Sequence, residues 1–124
     1  MRDFREIKVW SKAHLLTLKI YKTTTTFPRE ETYGITSQMR RSAASIAANI
    51  AEGFGRAGNS ELARFLQIAM GSACELEYHL LLSRDLNIIT KESHKELEEQ
   101  VLEVKRMLAA LLVKVRRDRY TAKC

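Results

Sequence analysis

Apolar residues recur along this chain in steps of three and four, within four separate runs. In the first run Val9, Ala13, Leu16, Ile20 and Phe27 are spaced by threes, fours and a seven, with Trp10 and Tyr21 beside the stripe. That spacing places one apolar face on an α-helix. The Thr23–Thr26 run forms helix poorly and Phe27-Pro28 blocks it, so this helix is expected to end there. A second stripe, Ile35, Met39, Ser42, Ile46 and Ile50, predicts a helix starting near residues 31–34, with Gly53 and Gly55 as its stop. A third stripe holds Leu62, Phe65, Leu66, Ala69, Ala73, Leu76 and Leu80, with Asn59 or Ser60 as the N-cap and an end near Leu86. The fourth, Leu97, Val101, Val104, Leu108, Leu111 and Val115, is a heptad seam behind a cap at Thr90 or Ser93.

The connections, at about residues 28–33, 55–59 and 86–90, are short enough to favour antiparallel neighbours. The expected fold is therefore all-α: an antiparallel up-down-up-down four-helix bundle, one domain over residues 1–124, with a basic and flexible tail from about residue 116. Leu15, Leu18, Ile68, Leu81, Leu82, Leu102 and Leu112 lie off or beside the main stripes. Apolar faces this wide on so short a chain point to packing against another copy, hence a homo-oligomer.

Composition narrows the class. At 124 residues, 45% hydrophobic and 29% charged, the chain reads as an ordinary globular domain. No run reaches the length of a membrane span, and MRDFREIKVW lacks the apolar core of a signal peptide, so a cytoplasmic protein with no membrane role is expected. Cys74 and Cys124 do not make a disulfide framework, and Cys74 reads as a small apolar residue of the third helix. His14, His79 and His94 have no ligand spacing, so no metal or cofactor is expected.

Residues 45–56, SIAANIAEGFGR, interrupt a small-residue run with Asn49, Glu52 and Arg56, which share a helix face. Gly53 and Gly55 permit left-handed backbone, so Arg56 can lie past the helix end and turn back. Arg64 on the following helix is within reach of the same region. The architectural reading is a structural polar clamp of Asn49, Glu52, Arg56 and Arg64 at the turn. Ala43, Ala44, Ala47, Ala48 and Ala51 allow close helix approach, with Ala69, Gly71, Ser72 and Ala73 opposite them. A catalytic reading lacks a nucleophile with a base and an orienting group, so no enzyme activity is expected.

The same stretch carries a resemblance. With FREIKVW (4–10), IYKTTTTFPREETYGITSQMRRSAASIAANIAEGFGR (20–56) and ELARFLQIAMGSACELEYHL (61–80), the chain resembles the bacterial four-helix-bundle family of 23S rRNA intervening-sequence proteins. That family includes the accessory variability determinant proteins of diversity-generating retroelements. The matching positions are Phe27-Pro28, Glu31, Tyr33-Gly34, Gln38, Arg40-Arg41, Ser45-Ile46, Asn49 to Gly53, Arg64-Phe65 and Gly71-Ser72. The fourth helix matches only in its heptads. The resemblance implies a ring-like homopentamer with a basic surface suited to nucleic acid, and no enzyme activity. For the retroelement members it implies a reverse transcriptase partner and its template RNA.

Charge locates the candidate contacts. The chain carries a net +6, and it is uneven along the fourth helix: residues 91–103 hold five acids and two lysines, a net −3, whereas 104–124 hold seven Lys/Arg and one Asp, a net +6. Acids early and bases late suit the helix dipole. Lys114, Arg116, Arg117, Arg119 and Lys123 exceed that need and form a candidate phosphate-binding tail, with Tyr120 placed to stack on a base. Arg40 and Arg41 form a second group, and Lys12, Lys19 and Lys22 on the first helix a third. No base-reading motif is present, so the expected mode is phosphate-dominated binding to RNA or DNA with little sequence preference. The alternative is a protein-interaction scaffold whose positive charge serves solubility.

Overall fold

A computed structural model describes the backbone of residues 3–123 and the side chains of residues 3–118. The described residues form four α-helices and two short 3-10 turns, with no strand: α1 Lys8–Thr24, α2 Ile35–Phe54, α3 Asn59–Asp85 and α4 Lys91–Lys123. No helix among them is long and apolar enough to cross a membrane.

Local chemistry explains the boundaries. Asp3 accepts the Arg5 backbone N–H at 2.9 Å and caps the lead-in turn before α1. At the far end of α1 the hydroxyls of Thr24, Thr25 and Thr26 donate back to the carbonyls of Ile20, Lys22 and Thr23. These bonds compete with helix continuation, and Pro28 completes the stop. Thr90 caps α4, its hydroxyl accepting the Ser93 N–H at 3.0 Å, which settles the choice between those two residues. The end of α3 is a Schellman turn. Asn87 is left-handed at φ 59°, and Ile88 N–H returns to Ser83 O at 2.8 Å.

Two expectations about the α2–α3 turn are corrected. Gly55 does end α2 as its C-cap, but with a right-handed φ of −87° rather than a left-handed one, and Gly53 lies inside α2, buried. The left-handed residue is Gly58, at φ 85°. Neither Asn59 nor Ser60 is the N-cap. Gly58 occupies that position, and no side chain caps the helix.

One core joins residues from all four helices. All five positions of the α1-run stripe and all five of the α2 stripe are buried, as is the α3 stripe apart from half-buried Leu62. The α4 seam drifts: Leu112 takes the core position expected for Leu111, which is half-buried. A helix of 3.6 residues per turn slips steadily against a strict heptad, and the step from Leu108 is four residues rather than three. Among the remaining off-stripe residues Leu15, Leu18, Ile68 and Leu81 are exposed, whereas Leu82 and Leu102 are half-buried.

Contacts across the helices pair rising numbers with falling ones. Lys12 meets Glu103 and Lys19 meets Glu96. Arg41 meets Glu75, and Ser45 meets Ser72 at 2.9 Å. Lys105 meets Glu77 and Arg116 meets Gln67. The small residues act as expected at Ala43, Ala47, Ala69 and Ala73, which are buried. Three others are corrected. Ala48 is exposed, Gly71 faces open space with nothing within 4 Å of a Cβ, and Cys74 is exposed rather than a core residue.

Candidate nucleic-acid interface

The three candidate groups of cations have different surroundings. On α1, Lys12 Nζ lies 3.2 Å from Glu103 and Lys19 pairs with Glu96, so the acidic first half of α4 answers the α1 lysines. Both pairs are solvent-exposed, worth at most about 1 kcal/mol each. Lys22 makes no ion pair among the described residues. Between these lysines Leu15 and Leu18 line an open groove of about 550 Å³, with Gln100 and Glu103 on the α4 wall.

Arg40 and Arg41 do not form a joint site. Successive helical residues diverge by about 100°, and these two side chains leave α2 in different directions. Arg40 Nε donates to Thr24 Oγ1 at 2.8 Å and its Nη2 to Tyr21 O at 3.2 Å, with the guanidinium carbon 4.9 Å from the Tyr21 ring centre. It closes the C-terminal end of α1, where free carbonyls favour a cation. Arg41 Nη2 donates instead to Gln38 Oε1 at 2.8 Å and Glu75 Oε2 at 2.7 Å, on the α3 side. Arg40→Ala is therefore expected to lower unfolding free energy by about 1 kcal/mol. Chemical denaturation checks this; an unchanged midpoint would mean the α1 closure contributes nothing.

Among the described residues, the basic end of α4 has the fewest carboxylate contacts for its charge. Lys114 makes no ion pair among the described residues. Arg116 Nη2 donates to the neutral Gln67 amide oxygen at 2.9 Å. Arg117 lies 3.8 Å from the Asp118 carboxylate. The side chains of Arg119, Tyr120 and Lys123 lie outside the described residues, as does Cys124.

The SIAANIAEGFGR stretch makes two separate arrangements in place of one clamp. Asn49 Nδ2 donates to Ser45 O at 2.8 Å and Ser45 Oγ at 3.0 Å, and Ser45 Oγ meets Ser72 Oγ, which ties α2 to α3. One turn later Glu52 and Arg56 form an exposed pair at 3.6 Å. Arg64 turns to Glu61, donating at 3.0 and 3.2 Å. That bond, first among its causes, holds the Glu61 carboxyl below the usual carboxylate range. Arg56 and Arg64 both rest on Phe65, with guanidinium carbons 5.1 and 4.5 Å from its ring centre, and both charges act on the Glu61 carboxylate. The Phe65 ring was the missing partner; a cation–π contact has no fixed sequence spacing across a turn.

The sequence profile of the 23S rRNA-intervening sequence protein family matches residues 5–110. The chain belongs to that family. A solved structure from Bacteroides thetaiotaomicron VPI-5482, described as a protein of unknown function from the S23 ribosomal protein family, is similar. It shares 26% identity with a TM-score of 0.76, over 84% of this chain and 97% of that one. No curated protein matches the chain.

Within this family member one half-buried titratable group bears on stability. His79 on α3 has its Nδ1 buried without a hydrogen-bond partner. Burial is the main cause that holds its pKa below the ordinary 6.5, Arg41 adds to the effect, and Glu75 opposes it. The unfolded chain then binds the proton more readily than the folded one. Stability is complete above pH 6.5 and falls as pH drops toward the folded pKa. His79→Gln should flatten that fall; chemical denaturation of both proteins across this range, with equal slopes as the contrary result, is the check.

Proposed function

We propose that this family member is a non-enzymatic, single-domain, cytoplasmic protein whose four helices run alternately up and down, and which assembles as a ring-like homo-oligomer, a pentamer by family resemblance. It binds RNA or DNA through phosphates. The rising-and-falling contact pairs support the antiparallel arrangement. The observation that carries the nucleic-acid reading is the end of α4, where Lys114 and Arg116 sit without a carboxylate partner among the described residues. Lys12, Lys19 and Arg41, by contrast, already meet acids. Solvated, unpaired cations that neutralise phosphates free the counterions condensed on the nucleic acid, and a ring would multiply each weak contact.

The exposed Leu15 and Leu18 groove supports assembly and equally favours the second reading, a protein-interaction scaffold. For the retroelement members of the family the resemblance implies an accessory role beside a reverse transcriptase and its template RNA. A neighbouring reverse transcriptase gene with a repeated variable segment would establish it.

Light scattering after size exclusion, with and without a mixed-sequence structured RNA, tests the reading. A defined oligomer should gain RNA mass at low salt and lose it between about 50 and 200 mM. Leu15→Ser with Leu18→Ser should reduce the mass of the protein alone if the groove is the assembly face. An oligomer that takes up no RNA at either salt would leave the scaffold reading in its place.

A further inference from the structure

Where the α2–α3 turn faces the last turns of α4, the chain encloses an open cavity of about 240 Å³. Its lining is divided by chemistry. Phe54, Leu62 and Leu111 supply apolar surface, whereas Arg56, Lys114 and Asn59 supply donors. We propose that this cavity is a subsite for one nucleoside phosphate unit, with the phosphate held by Arg56 and Lys114 and the base laid on Phe54, Leu62 and Leu111.

Size limits the occupant. Pockets for drug-sized ligands span about 300–1,000 Å³, so this one takes a single nucleotide and no more. The two cations come from elements far apart in sequence and line the same cavity. Lys114 has no ion pair among the described residues. Arg56 is held by charge rather than by hydrogen bonds: Glu52 lies at 3.6 Å, beyond hydrogen-bond length, and the Glu61 carboxylate feels its charge. Its guanidinium rests 5.1 Å from the Phe65 ring centre, which restrains it before a ligand arrives and lowers the ordering cost. One carboxylate, Asp118, also lines the cavity, with Arg117 at 3.8 Å, and offers an acceptor to a sugar hydroxyl. An aromatic ring beside a cation is the pairing that takes a base and its phosphate together.

This inference rests on the nucleic-acid reading for a nucleotide within a chain; a free mononucleotide presents the same chemistry. Binding of a short fluorescein-labelled single-stranded RNA is measured by anisotropy, and adenosine monophosphate is titrated against the amide resonances of Gly58 and Asn59. Arg56→Gln and Lys114→Gln should each weaken RNA binding about tenfold and reduce the salt slope by about one. Arg84→Gln, at the other end of α3, removes the same charge and serves as the reference. Asn59→Tyr adds bulk to the cavity lining without altering charge and should weaken binding at an unchanged salt slope, which keeps the test open if Arg56→Gln fails to fold.

RNA that moves the Gly58 and Asn59 amides while the mononucleotide does not identifies a unit of a chain. Movement by the mononucleotide identifies a free nucleotide as ligand, and supports the subsite even if RNA does not bind. RNA binding with those amides unmoved, and with Arg56→Gln and Asn59→Tyr equal to Arg84→Gln and to wild type respectively, overturns the subsite and leaves the nucleic-acid reading standing. Binding of neither probe overturns both.

Discussion

Leu66→Ala is expected to lower the unfolding free energy by about 2–5 kcal/mol, the largest effect of any single change considered for this protein. Leu66 is fully buried in the core on α3, which packs against both α2 and α4. Truncation removes the transfer free energy of the lost carbons and leaves a void. Helices on two sides of α3 must move to fill that void, so relaxation recovers little of it. Against a total stability of about 5–15 kcal/mol for a domain this is a large fraction. Urea unfolding followed by circular dichroism measures it. Leu15→Ala, at an exposed position, should stay within about 0.5 kcal/mol in the same assay. Equal losses at the two positions would mean that the core is drawn wrongly.

Gly53→Ala should cost about 1–3 kcal/mol, although alanine is the better helix former. A Cβ at Gly53 would stand 3.0 Å from Leu62 Cδ1 and 3.0 Å from Phe65 Cβ. The Leu62 methyl can rotate away, but the Phe65 Cβ is fixed to the α3 backbone, so α3 itself must give by a few tenths of an ångström. The same shift would disturb the Phe65 ring beneath Arg56 and Arg64. Gly71→Ala is the control of opposite sign. It lies within α3 facing open space, where alanine should add about 0.5–1 kcal/mol. If both substitutions stabilise, the close contact of α2 with α3 at Gly53 is absent.

These two glycines show where reading the chain alone reaches its limit. Read from the sequence, Gly53 is a helix stop and Gly71 a close-packing residue, and the structure reverses the two: Gly53 is packed inside α2 and Gly71 faces open space. Only the position of a neighbouring helix makes one indispensable and the other dispensable. Arg40 and Arg41 repeat the point with charge. As adjacent cations they read as one phosphate site, yet one closes α1 and the other meets Glu75 across 34 residues. The ion pairs Lys12–Glu103 and Lys19–Glu96 were hidden for the same reason. Charge counting along α4 found an acidic half and a basic half, but not that the acidic half faces the α1 lysines.

The sequence by itself determined the four helices, nearly all of their buried stripes, a hydroxyl cap at Thr90 or Ser93, the break at Phe27-Pro28 and the membership of a helical family. Those features follow from interactions within a few residues, where a 3.6-residue period, a hydroxyl beside a free N–H or a missing backbone N–H act without reference to the rest of the chain. The tertiary structure alone decided which glycine is packed, which residue takes the left-handed turn, which arginines are already engaged and which cations converge on one cavity. Each of those depends on the distance between segments remote in sequence, and that distance is set only when the helices pack.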